Sequence, residues 1–209
     1  MKVLLINGSP KEQGCTFAAL SEVASALEKN GVETEMYYIG TEPVFGCAAC
    51  GWCRKSGKCF YDDDVCNEIS AKIKVADGLV VGSPVYFSGP NGALCALLDR
   101  VFYSSGNSFR NKPAACVVNC RRGGASAAFD RLNKYFTISQ MPVVTSHYWN
   151  ATHGFTPEDV SLDLEGLQVM RTLGNNMAWL LKNIEAGIQP PEQEKRVRTN
   201  FHDGKQDAK

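Results

Sequence analysis

Several features that proteins use for recognition or catalysis are scarce in this sequence. Its 209 residues carry 22 lysines and arginines against 22 aspartates and glutamates, so there is no charge excess to attract a nucleic acid or an acidic membrane. The longest uninterrupted apolar run, residues 93–98, is far shorter than the roughly 20 residues that span a bilayer. The first residues lack the apolar core and cleavage site of a signal peptide. We therefore expect a cytoplasmic protein that binds neither nucleic acid nor membrane.

Groups for acid–base catalysis are also scarce. The chain has three histidines, and no Ser-His-Asp, Cys-His or paired-carboxylate arrangement can be assembled from its residues. We therefore predict no catalytic acid or base among the side chains. Such a composition favours chemistry that a bound cofactor supplies, while the protein binds and orients that cofactor.

Short apolar runs alternate with amphipathic segments along most of the chain. The predicted strands are 3–6, 32–39, 79–81, 114–118 and 142–146, and the predicted helices are 17–27, 65–73, 94–102, 125–136 and 170–184. This alternation predicts an α/β three-layer sandwich, with a parallel sheet covered by helices on both faces. Five strands favour the flavodoxin-like order 2-1-3-4-5, whose ligand lies beyond the carboxyl ends of the strands.

The sequence divides into one domain and a short tail. We predict that residues 1–188 form the domain, including a cysteine-rich loop at residues 46–60. Residues 189–209 are highly charged and contain few apolar side chains, so they cannot bury much surface of their own. We expect this tail to pack on a neighbouring subunit.

The first predicted strand leads into a loop rich in groups that bind phosphate. Residues 8–16, GSPKEQGCT, end where the first helix begins, so backbone N–H groups, the helix dipole and two hydroxyls meet there. Two common nucleotide loops are excluded, because Cys15 stands where a P-loop has lysine and Pro10 stands where a dinucleotide loop has glycine. A compact phosphomonoester fits better than a pyrophosphate. The alternative is an ordinary turn capped by Ser9 or Thr16.

Two further loops follow predicted strands at the same edge of the sheet. Residues 82–90, GSPVYFSGP, contain Tyr86 and Phe87, which could form a wall for a flat ring or simply cover the core. Residues 119–124, NCRRGG, combine paired glycines, which let the backbone approach a ligand, with two arginines. Those arginines could offset the charge of a reduced flavin, grip a pyridine-nucleotide phosphate, or lie in solvent.

Together the three loops resemble those of the NADPH-dependent FMN reductase and iron-sulfur flavoprotein branch of the flavodoxin-like superfamily, and the resemblance covers nearly the whole chain. The segments that carry it are GSPK at 8–11 with Gly14 and Thr16, GSPVYF at 82–87 with Pro90, LLDR at 97–100 and RRGG at 121–124. The resemblance implies that FMN binds with its phosphate in the first loop and its isoalloxazine ring between the other two. The implied phosphate contacts are Ser9, Lys11, Gly14, Cys15 and Thr16. The implied ring contacts are Pro84, Val85, Tyr86, Phe87, Asn119, Arg121, Gly123 and Gly124.

Four of the nine cysteines lie within 13 residues, in the loop that follows the second predicted strand. They are Cys47, Cys50, Cys53 and Cys59. In a reducing compartment, clustered thiols bind metal more often than they form disulfides. The two-residue gaps favour a [4Fe–4S] cluster, and the pattern is similar to the compact cluster motif of iron-sulfur flavoproteins. A structural zinc site and metal-free redox-active thiols stay open as alternatives.

Three other features have plain structural explanations. Residues 62–64, DDD, are expected to begin the next helix, where carboxylates complement the helix dipole. Cys116 and Cys120 are expected to pack in the core as small apolar side chains. His153 is expected to lie in a surface loop, and a position beside the flavin is the alternative.

The resemblance also implies a function. It implies an FMN-dependent oxidoreductase that passes electrons from NAD(P)H or a ferredoxin-like protein to a small-molecule acceptor, with the cluster relaying single electrons. The alternatives are a non-catalytic flavodoxin-like carrier, an NAD(P)H:quinone or FMN reductase without a cluster, and a zinc-stabilised interaction module without flavin. The family further implies a homodimer or homotetramer with flavin sites completed across the subunit interfaces.

Overall fold

Strands and helices alternate along the chain as the sequence predicts. The computed structural model describes residues 1–187 and 189–194, together with the backbone of 197–199 and 206–208. The strands are β1 (Lys2–Asn7), β2 (Glu33–Tyr38), β3 (Gly78–Tyr86), β4 (Gly89–Pro90), β5 (Ala114–Cys120), β6 (Ala151–His153), β7 (Val197–Thr199) and β8 (Gln206–Ala208). The helices are α1 (Cys15–Lys29), α2 (Cys53–Ser56), α3 (Cys66–Val75), α4 (Gly92–Ser105), α5 (Ala125–Ile138), α6 (Pro157–Leu162) and α7 (Leu164–Glu185), with a 3-10 turn at Gly106–Phe109.

The main sheet is parallel along the order β2-β1-β3-β5-β6, and helices cover it on both faces. The predicted α/β architecture is confirmed, but the predicted count of five strands is wrong. A sixth strand, β4, pairs antiparallel with the end of β3. The two residues between them, Phe87 and Ser88, both have positive φ values, of 49° and 62°. A two-residue hairpin turn with left-handed conformation at both central residues usually contains glycine or asparagine. The sequence Phe-Ser contains neither, so this turn could not be predicted.

The last strand of the sheet lies later in the chain than predicted. Residues 142–146 do not form a strand, because only Val143 bridges Ala114 before the chain leaves the sheet. The outer position belongs to β6, which pairs parallel with β5. Asn150, just before β6, is buried, and its carbonyl accepts a hydrogen bond from the backbone N–H of Val118 at 3.0 Å. Pairing with β5 thus selects a three-residue strand that has no apolar run.

The core has two parts, one on each face of the sheet. Leu4 and Ile6 pack into the part formed with α3, α4 and α5, whereas Val3 and Leu5 pack into the part formed with α1 and α7. Both faces of β1 are therefore buried, which explains its continuous apolar sequence. None of the described helices combines the length and the apolar character of a membrane span.

The predicted tail is described only in part. Residues 189–194 are exposed, and β7 pairs antiparallel with β8. The remaining tail residues, 195, 196, 200–205 and 209, and residue 188 at the domain boundary, lie outside the described residues. The expected packing of the tail on a neighbouring subunit stays a prediction.

The contact between α1 and α7 generates a test of the packing. A methyl group on Gly174 in α7 would lie 2.6 Å from Cβ of Ala26 and 2.7 Å from the carbonyl oxygen of Val23, both in α1. Because the backbone oxygen cannot move without shifting α1, Gly174→Ala should lower the free energy of unfolding by about 1–3 kcal/mol. Gly92→Ala is the control, since a methyl group there meets no atom within 4 Å. Denaturant titration measures both, and equal stability of the two variants would contradict the packing.

Candidate functional site

The three predicted ligand loops begin at one edge of the sheet. Asn7 at the end of β1 pairs with Gly82 in β3, and Pro84 pairs with Asn119 in β5. The N–H of Gly8 donates a hydrogen bond to the carbonyl oxygen of Gly82 at 2.9 Å. A methyl group on Gly8 would lie 2.8 Å from that same oxygen, so only glycine allows the first loop to leave β1 so close to β3.

The first loop is shaped by its own hydrogen bonds. The buried Asn7 side chain accepts from the N–H of Ser9 at 3.1 Å and donates to the carbonyl oxygen of Glu12 at 2.8 Å. The Ser9 hydroxyl accepts from the N–H of Lys11 at 3.0 Å, and the N–H of Gly14 donates to the carbonyl oxygen of Lys11 at 3.3 Å. These bonds bend the chain around the start of α1. In the sequence, Asn7 is indistinguishable from an ordinary last residue of a strand, so this role could not be predicted.

The start of α1 has hydrogen-bond donors that have no acceptor among the described residues. Within the described part of the chain, the N–H groups of Cys15, Thr16 and Phe17 donate no hydrogen bond. The Thr16 hydroxyl is also buried without a partner there. Buried polar groups are nearly always paired, so an unpaired hydroxyl beside three unpaired N–H groups indicates a site for an anion. The residues therefore fit the predicted phosphate.

Asn91 connects the first loop to the second. Its side-chain amide donates to the carbonyl oxygen of Gly8 at 2.8 Å, and its backbone N–H donates to the hydroxyl of Ser83 at 2.9 Å. Its side-chain oxygen accepts from the N–H of Ala93 at 3.0 Å and thereby caps α4. This residue was not predicted, although an asparagine immediately before a helix is a recognisable capping residue.

The two aromatic side chains of the second loop are exposed. Tyr86 is half exposed and Phe87 is fully exposed, at the tip of the β3–β4 hairpin. Pro84 and Val85 are partly buried beneath them. Phe87 therefore does not cover the core, and the exposed faces of both side chains are available to a planar ring.

The third loop packs against the second. Gly124 has a φ of 89°, and a methyl group there would lie 2.9 Å from Cα of Ser88. Arg121 and Gly123 are exposed. Asn119 differs from the expectation, because its side chain is buried and donates to both oxygens of Thr152 in β6, at 3.0 and 3.2 Å. Its amide therefore joins β5 to β6.

A fourth segment, which follows β6, completes an open cavity of about 630 Å³ at this edge. The cavity is lined by Arg121, His153, Gly154, Phe155 and Asp159. The Cys15 thiol lies 3.8 Å from the carbonyl oxygen of Gly154 and so links this segment to the first loop. His153 is exposed, as expected, but it is the last residue of β6 rather than part of a loop, and it borders the cavity.

Two pKa shifts define the electrostatics near this edge. Burial raises the pKa of Cys15, which keeps its thiol neutral at neutral pH. Hydrogen bonds from the backbone N–H groups of Thr156 and Phe155 lower the pKa of Asp159. The carboxylate of Asp159 is thus ionised, and it forms a capping box with Thr156 at the start of α6.

The four clustered cysteines line one cavity beside α4. Cys47 and Cys50 are exposed, whereas Cys53 and Cys59 are partly buried. Among the described residues, no three His, Cys, Asp or Glu side chains converge on a point where one metal ion would bind. A tetrahedral zinc ion takes four thiolates on one atom, whereas a [4Fe–4S] cube takes each thiolate on a different iron atom. Four thiols around one cavity supply the kind of ligand that either group requires.

Arg100 lies beneath this loop, and its side chain is the largest of the fully buried ones in the described part of the chain, only 1% exposed. Its guanidinium pairs with Asp64, and the Nη2–Oδ1 distance is 3.1 Å. Asp64 Oδ1 also accepts from the N–H of Cys66 at 3.0 Å, and α3 begins at Cys66. The acidic tract thus stands at the start of a helix, as expected, but the pairing of Asp64 with Arg100 was missed. The two residues are 36 positions apart in the sequence, and no local pattern connects them.

The other cysteines are buried or partly buried. Burial raises the pKa of Cys66 to about 12, so its thiol stays protonated. Cys116 and Cys120 are buried in β5, which confirms the expectation that they are packing residues. The Cys116 thiol donates to the side-chain oxygen of Asn133 at 3.4 Å.

Solved structures with this architecture define the class of fold. RosB, whose structure contains 8-demethyl-8-formylriboflavin-5'-phosphate, aligns with a TM-score of 0.70 at 17% identity, over 89% of this chain and 81% of its own. A flavodoxin from the domain Archaea aligns with a TM-score of 0.58 at 17% identity, over 87% of this chain and 99% of its own. The protein therefore has a flavodoxin-like α/β fold.

Sequence comparison identifies the family. The NADPH-dependent FMN reductase family matches residues 1–156. An iron-sulfur flavoprotein of Methanocaldococcus jannaschii is 37% identical over 193 residues, which cover 88% of this chain and 100% of that protein. An iron-sulfur flavoprotein of Methanosarcina thermophila is 33% identical over 194 residues, which cover 88% and 97%. The chain belongs to the NADPH-dependent FMN reductase family, as the three loops predicted.

The unpaired Thr16 hydroxyl generates a test of the phosphate site. Thr16→Val keeps the shape of the side chain but removes a partner for the FMN phosphate, so we expect about tenfold weaker FMN binding. The same change removes an unpaired buried hydroxyl, so the flavin-free protein should become more stable, by about 1 kcal/mol.

The matched control is Ser70→Ala in α3. The Ser70 hydroxyl is likewise buried without a partner among the described residues, but it lies outside the loops. This variant should gain stability with unchanged FMN affinity. Fluorescence titration gives the dissociation constant and denaturant titration gives the stability. Wild-type FMN affinity in Thr16→Val would contradict the assignment.

Proposed function

We propose that this protein is an FMN-dependent oxidoreductase whose first loop holds the FMN phosphate. The observation that carries the proposal is the buried Thr16 hydroxyl beside the N–H groups at the start of α1, none of which has a hydrogen-bond partner among the residues that the structure describes. Ser9 and Gly14 shape this loop, and the exposed Lys11 side chain can reach a phosphate. Cys15 contributes its backbone N–H, because its thiol is neutral and directed at Gly154.

The isoalloxazine ring would lie between the second and third loops. Exposed Tyr86 and Phe87 on the hairpin provide apolar surface for one side of the ring, above Pro84 and Val85. On the other side, Gly123 and Gly124 allow the backbone to approach, and Arg121 provides a positive charge. Asn119 positions the loop through Thr152. When bound, FMN supplies the redox chemistry by accepting a hydride or single electrons.

The cavity lined by Arg121, His153 and Phe155 is the proposed site of the electron donor or of a small acceptor. Its volume of about 630 Å³ lies within the usual range for small-molecule sites. Arg121 is exposed and could pair with a phosphate of NAD(P)H. Within this scheme a ferredoxin-like protein is the alternative donor.

We assign the four clustered cysteines to a [4Fe–4S] cluster. Support comes from their arrangement around one cavity and from relatives that are named iron-sulfur flavoproteins. Such a cluster, when bound, would relay single electrons. We further propose a homodimer or homotetramer, since large aromatic side chains such as Tyr148, Trp149 and Phe155 are exposed near the cavity edge.

Anaerobic purification tests the cofactors together. We expect about one FMN and about four iron and four sulfide per chain. Cys53→Ser should lose most of the iron, because one of four ligands is removed, and it should keep the FMN. Cys95→Ser is the control, since Cys95 is partly buried in α4 and lies outside the cluster loop. If the wild type contains FMN but no iron, the cluster assignment is overturned and the flavoprotein assignment stands. If it contains zinc but no FMN, the whole proposal is refuted.

Steady-state kinetics separates an enzyme from an electron carrier. The wild type should oxidise NADPH continuously with a quinone acceptor. Arg121→Ala should lower kcat/KM for NADPH about tenfold, the usual size of a lost charged contact. The neighbouring Arg122→Ala is the control, because Arg122 does not line the cavity of about 630 Å³. Negligible turnover by the wild type would favour a carrier, and equal effects of the two substitutions would argue against the assigned donor site.

A further inference from the structure

Every N–H donor of the Arg100 guanidinium has a hydrogen-bond acceptor beneath the cysteine loop (residues 46–60). A guanidinium has five N–H donors. Two point at the Asp64 carboxylate, one at the carbonyl oxygen of Phe45 at 3.3 Å and one at the carbonyl oxygen of Tyr61 at 3.1 Å. The fifth, on Nε, points at Cys59 Sγ at 3.2 Å. Each donor therefore has a defined acceptor, and one acceptor is a proposed cluster ligand.

These contacts fix both ends of the loop at one point. Phe45 immediately precedes the cysteine loop and Tyr61 immediately follows it. Their rings stack with centroids 5.7 Å apart, and the Arg100 guanidinium lies 5.2 Å from the centre of the Tyr61 ring. The loop between them contains all four cysteines, of which Cys47 and Cys50 are exposed. The position of the thiols as a set therefore depends on the closure that Arg100 provides.

The positive charge of the Arg100 guanidinium also acts on the electron-rich sulfur atom of Cys59. Asp64 balances the buried guanidinium, so the pair as a whole carries no net charge. The Nε–H bond still places a positive hydrogen-bond donor directly on Cys59 Sγ. Hydrogen bonds to ligand sulfurs stabilise the reduced, more negative state of an iron–sulfur cluster and so raise its reduction potential.

We propose that Arg100 is a positioning residue for the cysteine loop, which closes the loop through Phe45 and Tyr61 and raises the cluster potential through Cys59. This inference rests on the proposed function, since it concerns the cluster assigned above. It goes beyond the choice of ligands, because Arg100 is not a ligand. It predicts that cluster retention and potential depend on a helix residue 41 positions from Cys59.

Arg100→Lys tests the proposal with the holoprotein. Lysine keeps a positive charge for Asp64 but lacks the planar fork that reaches Cys59, Phe45 and Tyr61 together. We expect the midpoint potential of the cluster to fall by about 59 mV. For one electron, this shift corresponds to a tenfold change in the ratio of reduced to oxidised cluster. Iron loss to a chelator should become about tenfold faster. FMN content should not change.

Arg131→Lys is the matched control. Arg131 pairs with Asp99 at 3.1 Å and lies 4.6 Å from the centre of the Tyr135 ring, so it shares the ion pair and the aromatic contact of Arg100, but it is exposed and lies outside the cysteine loop. It should keep the wild-type potential and iron release. Because a lysine side chain in place of Arg100 could fail to pack, the double variant Asp64→Asn/Arg100→Gln removes both buried charges together. It should show the same two changes as Arg100→Lys.

The outcomes distinguish this inference from the proposed function. A wild-type protein without iron overturns the assigned cluster and this inference with it. If the wild type holds a cluster, and both Arg100 variants keep the wild-type potential and rate of iron release, the inference alone is overturned. Equal changes in Arg131→Lys would also overturn it, because they would reflect a general effect of replacing an ion-paired arginine that stacks on a tyrosine ring.

Discussion

Parallel pairing of β1, β3 and β5 is the constraint on which the candidate flavin site depends. Their registers place Asn7 beside Gly82 and Pro84 beside Asn119, so three loops must start from the same edge. Residues alternate between the two core faces along each strand, and a slip of one residue would exchange those faces. The apolar core therefore fixes the register, and the register fixes which loops meet.

The cysteine loop lies outside the sheet and depends on a different interaction. A buried ion pair is expensive to desolvate, and it persists only where its hydrogen-bonding groups are satisfied. Arg100 meets that condition through all five donors. It lies on α4, the helix capped by Asn91, which holds the first flavin loop. Nine residues of helix, about 14 Å, therefore connect the two anchors rigidly.

The sequence was sufficient to predict the features that follow from repeated local patterns. Buried parallel strands have continuous apolar sequences, so the alternation of elements and the three loops at their ends could be predicted. The β3–β4 hairpin could not, because Phe87 and Ser88 adopt conformations that their residue types disfavour. Neither could β6, whose three residues are selected by hydrogen bonds to β5. The Arg100–Asp64 pair was missed because distant contacts leave no trace in a single sequence.

The two candidate sites differ in how their polar groups are satisfied before any cofactor binds. In the first loop, Thr16 and the start of α1 have donors without partners in the described part of the chain, so binding an anion improves the hydrogen bonding of the protein itself. Beneath the cysteine loop, all five donors of Arg100 already have acceptors, and the groups that face the neighbouring cavity include the four thiols. A phosphate there would therefore draw on the backbone N–H groups of a helix end and on the Thr16 hydroxyl, whereas the proposed cluster would draw on cysteine side chains. Because these groups are separate, loss of the cysteine ligands should leave the flavin site intact.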